Sequence, residues 1–438
     1  MAERAGSPEP SVLSLALPAL VVLAAEPLYL LVDTAVVGNL GTVALGGLAV
    51  GGGLFAWAAA LLNFLAYGTT ARAARRAGAG DRRGAVDEGV QATWLALALG
   101  VVVLLVFQVL AGPLTRLLAG GGGAVAEAGE EWLRIASLGA PLLLVSLAGN
   151  GWLRGVQELR RPVRFVLAGS LVSLVLCPLL VHVAGWGLPG SAVANVLGQG
   201  VTAALFLRAL AREGAGWHAR PRAVLAQLVI GRDLLLRAAV LQVSFLVAAG
   251  VAARAGTAEL GAHQIALQLF FFLALVLDAY AIAAQTLVGH ALGAGHPVRA
   301  RATARRVVAW GLGTGLAVGG LLLVLRGVLP ALFTDDPAVV DQAELVWWFL
   351  AGFQPLAGVV FALDGVLMGA GDVGYLRTVT IGSALLGFLP LSLLSGPLDW
   401  GLAGVWTGLT LFIGLRLVGV LARVAGDRWL TAPETVAR

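Results

Sequence analysis

The chain has 438 residues, 59% of them hydrophobic and 12% charged, with a mean hydropathy of +0.91. A soluble domain carries about 25% charged residues, so most of this chain belongs in a bilayer, and no stretch between apolar segments is long enough to fold alone. All 29 basic residues are Arg, which excludes phosphate loops and Schiff bases that need Lys. The net charge of +5 is not gathered on a soluble face, which argues against a nucleic-acid partner and for a positive-inside bias.

The first apolar stretch, residues 11–37, reads SVLSLALPALVVLAAEPLYLLVDTAVV. At about 1.5 Å per residue it can cross a bilayer as a helix. It carries Glu26 and Asp33, seven residues apart and therefore on one helical face. Carboxyl groups within a span mark ion or proton paths by default, and one held out of water can load and release a proton near neutral pH. Pro18 and Pro27 each remove a backbone donor and predict bends. The polar segment ahead of this stretch has no small-residue cleavage site, so it does not read as a signal peptide.

Eleven more spans are predicted, over 45–70, 89–112, 128–152, 163–184, 190–211, 234–254, 262–290, 306–329, 341–368, 376–395 and 400–422. Alternate connections are rich in Arg: Arg72 to Arg83, Arg154 to Arg164, Arg208 to Arg237, Arg299 to Arg306, and Arg377. The others hold only Arg116, Arg254 and Arg326, with the acidic run Asp335, Asp336, Asp341. The Arg-rich side, with both termini, is assigned to the cytoplasm, and the chain to the cytoplasmic membrane. Residues 213–233 alternate Arg with Val and Leu and predict an amphipathic cytoplasmic linker. Three regions follow: an N-terminal six-helix bundle (1–212), the linker (213–233), and a C-terminal six-helix bundle with a short tail (234–438).

The two halves repeat. An offset of 215 superposes Gly41-Thr42 and Leu45-Gly46 on Gly256-Thr257 and Leu260-Gly261, and Gly78-Ala79-Gly80 on Gly293-Ala294-Gly295. An offset of 214 puts Pro141 on Pro355, Asn150-Gly151 on Asp364-Gly365, and Gly155 on Gly369. Six spans per half gives copies of the same orientation. The offsets also place Asn63 on Asp278 and Asn150 on Asp364, while Asp33 falls on Ala248.

Besides Asp33 and Glu26, the polar positions that could line cavities are Asn63, Tyr67, Asn150, Ser173 and Asn195 in the first half. In the second half they are Gln264, Asp278 and Asp364. Each alone also suits hydrogen bonding between helices. Asp278 and Asp364, if they face one cavity, would repel when both are ionised and would titrate as a pair. His182 and His263 fall near predicted span ends and read as interfacial, and no His, Cys or carboxylate spacing suits a metal centre. The single Cys, Cys177, cannot make an intrachain disulfide. The string GAGD occurs at Gly78–Asp81 and Gly369–Asp372 and reads as a turn repeated at two span ends. No catalytic constellation appears, so an enzyme is not predicted.

VDTAVVGNLG, LGGLAVG, WLRGVQELRRPV, RDLLLRAAVLQ and LDGVLMGAGD together resemble the multidrug and toxic compound extrusion (MATE) family, and most nearly its DinF-like branch. The resemblance covers nearly the whole chain. It implies an all-α integral membrane fold of twelve helices in two pseudo-symmetric six-helix bundles. It also implies a monomer without organic cofactor that exports small organic, amphipathic or cationic substrates against an inward H⁺ or Na⁺ gradient. The family's first-span coupling Asp matches Asp33 and its bend-forming Pro matches Pro18. Where relatives carry Asn and then Asp in span five, this chain has Ser173 and Cys177. That loss of a carboxylate favours H⁺ and leaves Na⁺ as the other candidate. A flippase of lipid-linked precursors is the alternative function; it requires strongly cationic cavities, and Arg416 is the one clear mid-span Arg.

Overall fold

The structure is a computed structural model and describes residues 11–214 and 216–431. These residues are almost entirely helical, with no strand among them. Eleven helices are long and apolar enough to span a bilayer: Val12–Gly38, Thr42–Gly78, Arg82–Leu118, Arg160–Val183, Leu188–Arg212, Pro221–Ala255, Thr257–Gly293, Pro297–Val324, Pro337–Gly369, Val373–Leu394 and Gly401–Ala425. A pair bent by 51°, Ala124–Ser137 with Ala140–Gly155, supplies the remaining span, the fourth in chain order. Each coincides with one of the twelve predicted stretches. The chain is a multi-pass membrane protein. The first helix runs unbroken through Pro18 and Pro27.

The chain forms two compact units. One comprises residues 22–239 and 289–295; the other comprises 240–288, 296–431 and the described residues before 22. The predicted linker, 213–233, lies within the first of these units. Only a short segment ending at Arg220 is irregular, and Pro221 opens a helix that continues as the seventh span to Ala255. Proline suits that first helical position because its missing N–H has no partner there. The helix's opening turns pack on the first unit through Gln227, whose amide donates to the Glu88 carbonyl at 3.2 Å and to its carboxylate at 3.3 Å.

Glu88 is also the partner of Arg72, at 2.6 and 3.0 Å, and both side chains are buried. Sequence placed Arg72 in a connection; the second helix instead continues to Gly78 and carries Arg72 inward. At the end of that helix, a β-carbon on Gly78 would stand 2.1 Å from the His290 carbonyl. One on Gly293 would stand equally close to the Arg75 carbonyl. These two contacts are exchanged by the offset of 215, so the helix ends cross about a local pseudo-twofold axis.

Lipid tails are as apolar as Leu, so helices in a bilayer associate through close packing rather than exclusion from water, and small residues permit it. The two units use the same close contacts. Gly100 meets Pro141 in one unit, and Gly315 meets Pro355 in the other. Gly151 meets Ala66, and Gly365 meets Ala281; Gly155 lies on Thr70, and Gly369 on Gln285; Gly46 meets Val125, and Gly261 meets Val339. Every pair maps onto its counterpart by the offsets of 214 and 215, so the repeat read in sequence is a repeat of packing. The two GAGD strings form the same turn, with Gly80 at φ 76° and Gly371 at φ 75°. That left-handed conformation suits glycine. Asp81 then caps the third span, accepting from the Gly84 N–H at 2.8 Å.

Gly311, Gly315 and Gly319 of the ninth span, four residues apart, lie against Gly358, Gln354 and Ala351 of the tenth. A β-carbon on Gly315 would stand 2.4 Å from the Gln354 carbonyl, whereas one on Gly313 meets nothing within 4 Å. Gly315→Leu is expected to lower stability by about 1–3 kcal/mol through overpacking, and Gly313→Leu to leave it unchanged. Thermal unfolding of the two variants in detergent checks this; equal melting temperatures would contradict the packing.

Candidate functional site

On the first helix Ala25, Tyr29, Asp33 and Val37 recur every four residues and are buried, while Leu28, Leu31 and Val32 are exposed. That single buried stripe is what a 3.6-residue period produces when one face packs on protein and the others meet lipid. It carries Asp33 fully out of solvent.

Two hydrogen-bond donors converge on one oxygen of Asp33. Ser191, near the start of the sixth span, donates to Oδ1 at 2.7 Å, and the Cys177 thiol of the fifth span donates to the same atom at 3.1 Å. The direction of the first bond is fixed by a third residue. Trp132 Nε1 donates to Ser191 Oγ at 3.2 Å; an indole can only donate, so the hydroxyl proton of Ser191 is left for Asp33. The other carboxyl oxygen, Oδ2, is buried with no hydrogen-bond partner among the described residues. Tyr29 lies one turn before Asp33 and beside Asn195. The arrangement is thus a carboxyl group with one oxygen accepting from two neutral donors and the other available to a proton.

The fifth span reaches this position through its proline. Pro178 cannot donate a backbone hydrogen bond, and the helix widens into a π-turn over Leu179–Val183. Cys177 precedes the turn, and His182 within it lies 3.2 Å from the Val36 carbonyl. Of the two span-five positions that depart from the family pattern, only Cys177 touches Asp33. Ser173 donates instead to the Ala194 carbonyl at 3.1 Å and joins the fifth span to the sixth.

The remaining predicted residues are scattered. Glu26 shares the helical face of Asp33 but is exposed rather than buried. Asn63 interrupts the second span between Thr42–Leu62 and Phe64–Gly78, and Tyr67 follows one turn on; both are half-buried. Asn150 is buried beside the Gly151 contact, with its carbonyl oxygen unpaired. In the second unit Gln264 is exposed and Asp278 is half-buried. His263, predicted at an interface, lies instead in the core, edge-on to Trp406 with ring centroids 6.0 Å apart. The helix begins at Thr257, a turn and a half before His263, which carries the ring inward.

Asp364 is buried in an ion pair with Arg416, whose guanidinium also lies over the Phe412 ring at 5.3 Å. Asp364 is thus held beside a cation of the twelfth span. Sequence reasoning missed Ser191 and Trp132. Neither stands out in an apolar helix, and Ser191 is 158 positions from the residue it serves.

Residues 18–179 and 234–393 each match the MatE family model. The chain belongs to the MatE family. The doubled match coincides with the two repeated halves, and members of this family are transporters. Among MatE relatives, the chain is 32% identical to protein DETOXIFICATION 44, chloroplastic, of Arabidopsis thaliana, covering 93% of this chain and 80% of that protein. It is 31% identical to DNA damage-inducible protein F of Escherichia coli K12, covering 93% and 90%. Among solved structures it resembles a MATE protein in a bent conformation, at a TM-score of 0.89 and 23% identity over 96% of both chains. It also resembles the eukaryotic MATE transporter AtDTX14, at 0.84 and 17% identity over 95% of both. These likenesses establish the MatE fold, twelve helices in two six-helix halves.

Proposed function

We propose that the protein is a secondary active exporter of small organic, amphipathic or cationic compounds, driven by H⁺ through Asp33 and working by alternating access. The observation that carries this reading is the buried Asp33 carboxyl group, with Oδ1 bonded to Ser191 and Cys177 and Oδ2 unpaired. Relatives named multidrug resistance protein PmpM of Pseudomonas aeruginosa and probable multidrug resistance protein NorM of Xanthomonas campestris support the substrate class. Protonation removes the charge of Asp33 and with it the strength of its two accepted hydrogen bonds. The first helix, held by those bonds to the fifth and sixth, is then free to repack and expel substrate; proton release toward the cytoplasm resets it.

H⁺ is favoured over Na⁺ because a hard cation needs several oxygen ligands. Here a thiol occupies one neighbouring position and both neighbours of Oδ1 are donors. The flippase alternative loses its main support, since the mid-span Arg416 is neutralised by Asp364. In proteoliposomes, a pH gradient alone is expected to drive flux of a fluorescent organic cation, and a Na⁺ gradient alone is not. Flux driven by Na⁺ at uniform pH would overturn the H⁺ assignment.

The proposed orientation has its own test. In a Cys177→Ser background, a Cys at Arg76 or at Arg301 is expected to label only from the cytoplasm, and one at Asp336 only from outside. Labelling of positions 301 and 336 from the same side would contradict the positive-inside orientation.

A further inference from the structure

A cavity of about 270 Å³ opens at the Arg-rich ends of the ninth, tenth and twelfth spans, within the second unit. Arg301 and Arg305, one turn apart on the ninth helix, flank its mouth; Leu363 of the tenth span, Val308, and Leu421 and Val424 of the twelfth line its walls. The tenth span packs on both of its neighbours and so floors a furrow between them. The two guanidinium groups differ in their compensation. Arg301 is paired with Asp427, in the segment that follows the twelfth helix. Arg305 is exposed and has no partner among the described residues.

Beyond the cavity the helices stay apolar and exposed. On the ninth helix, positions 301, 305, 308, 312 and 316 follow the three- and four-residue steps of one face, and Leu312 and Leu316 are exposed. On the twelfth, Leu421 of the cavity lining and Val418, one turn deeper, are exposed as well. From Arg305 to Leu316 the helix rises about 16 Å, about half of a hydrocarbon core roughly 30 Å thick. The surface is therefore cationic at headgroup depth and apolar for the length of one leaflet.

We propose that this furrow is a binding site for a phospholipid with a net negative headgroup. Its phosphate is held by Arg305, with Arg301 beside it, and an acyl chain lies along Val308, Leu312 and Leu421. Guanidinium groups suit this task because their planar fork meets two phosphate oxygens at once. Basic pockets between spans on the cytoplasmic side are where such headgroups bind. The site does not depend on the coupling reaction at Asp33, which lies in the other unit.

The test counts lipid retained by the purified full-length protein in native mass spectrometry, after titration with phosphatidylglycerol, phosphatidylcholine or inorganic phosphate. Phosphatidylglycerol is expected to be retained in preference to phosphatidylcholine. Arg305→Gln should weaken that retention about fivefold, the effect of one basic residue at an anionic surface. Val308→Trp should weaken it by filling the furrow. Arg222→Gln removes an exposed charge from the Arg-rich side of the other unit and should leave retention unchanged. Equal retention of both lipids, an equal loss in Arg222→Gln, or displacement by inorganic phosphate at comparable concentration would each overturn the site.

Discussion

Asp33→Asn is expected to abolish flux driven by a pH gradient while leaving the protein folded, with a melting temperature close to that of the parent. The amide fills the same space and its oxygen can still accept from Ser191 and Cys177, which donate to Oδ1 at 2.7 and 3.1 Å. It cannot take up or release a proton, so the step that would exchange H⁺ for substrate is lost rather than slowed. The control is Ser191→Ala, which removes one of the two donors to Oδ1 and leaves the carboxyl group. A hydrogen bond to a charged group is worth about 1.5–3 kcal/mol; its loss should shift the pH dependence of transport and leave maximal flux measurable. Both variants are compared in proteoliposomes under the same gradient. Undiminished ΔpH-driven flux in Asp33→Asn would remove Asp33 from the mechanism, and identical behaviour of the two variants would mean that geometry rather than protonation is at stake.

The spans were legible because bilayer thickness imposes a length and a composition on each, and the Gly-rich and charged breaks punctuate them. The repeat was legible because close helix crossings demand glycine at fixed places: Gly100 and Gly315 are needed against Pro141 and Pro355 for the same steric reason. Asp33 was legible because a carboxyl group in an apolar helix is costly and therefore conspicuous. Its surroundings were not. Ser191 and Trp132 are ordinary residues whose role exists only once the fourth, fifth and sixth spans are brought against the first. A seven-residue spacing puts Glu26 on the face of Asp33 but does not fix what each turn of that face meets. Arg72 escaped because sequence assigns an Arg to water or a membrane interface by default; Arg416 was legible as mid-span, but only the partner across the packing, Glu88 for the one and Asp364 for the other, shows how each is buried.

Breaking the Arg416–Asp364 pair is expected to be the costliest change in the second unit. Both side chains are buried, on the twelfth and tenth spans, and removing one partner of such a pair typically costs about 3–5 kcal/mol. Each single substitution should therefore lower stability, Asp364→Leu by removing the partner of Arg416 and Arg416→Met by removing the partner of Asp364. The double variant Asp364→Leu/Arg416→Met removes both charges and should recover most of the loss, since apolar residues of similar volume often replace a buried pair without penalty. Thermal unfolding of the three variants reads these outcomes. Full additivity in the double variant would mean that the two side chains do not compensate each other's charge, and Asp364 would return to consideration as a cation-binding group.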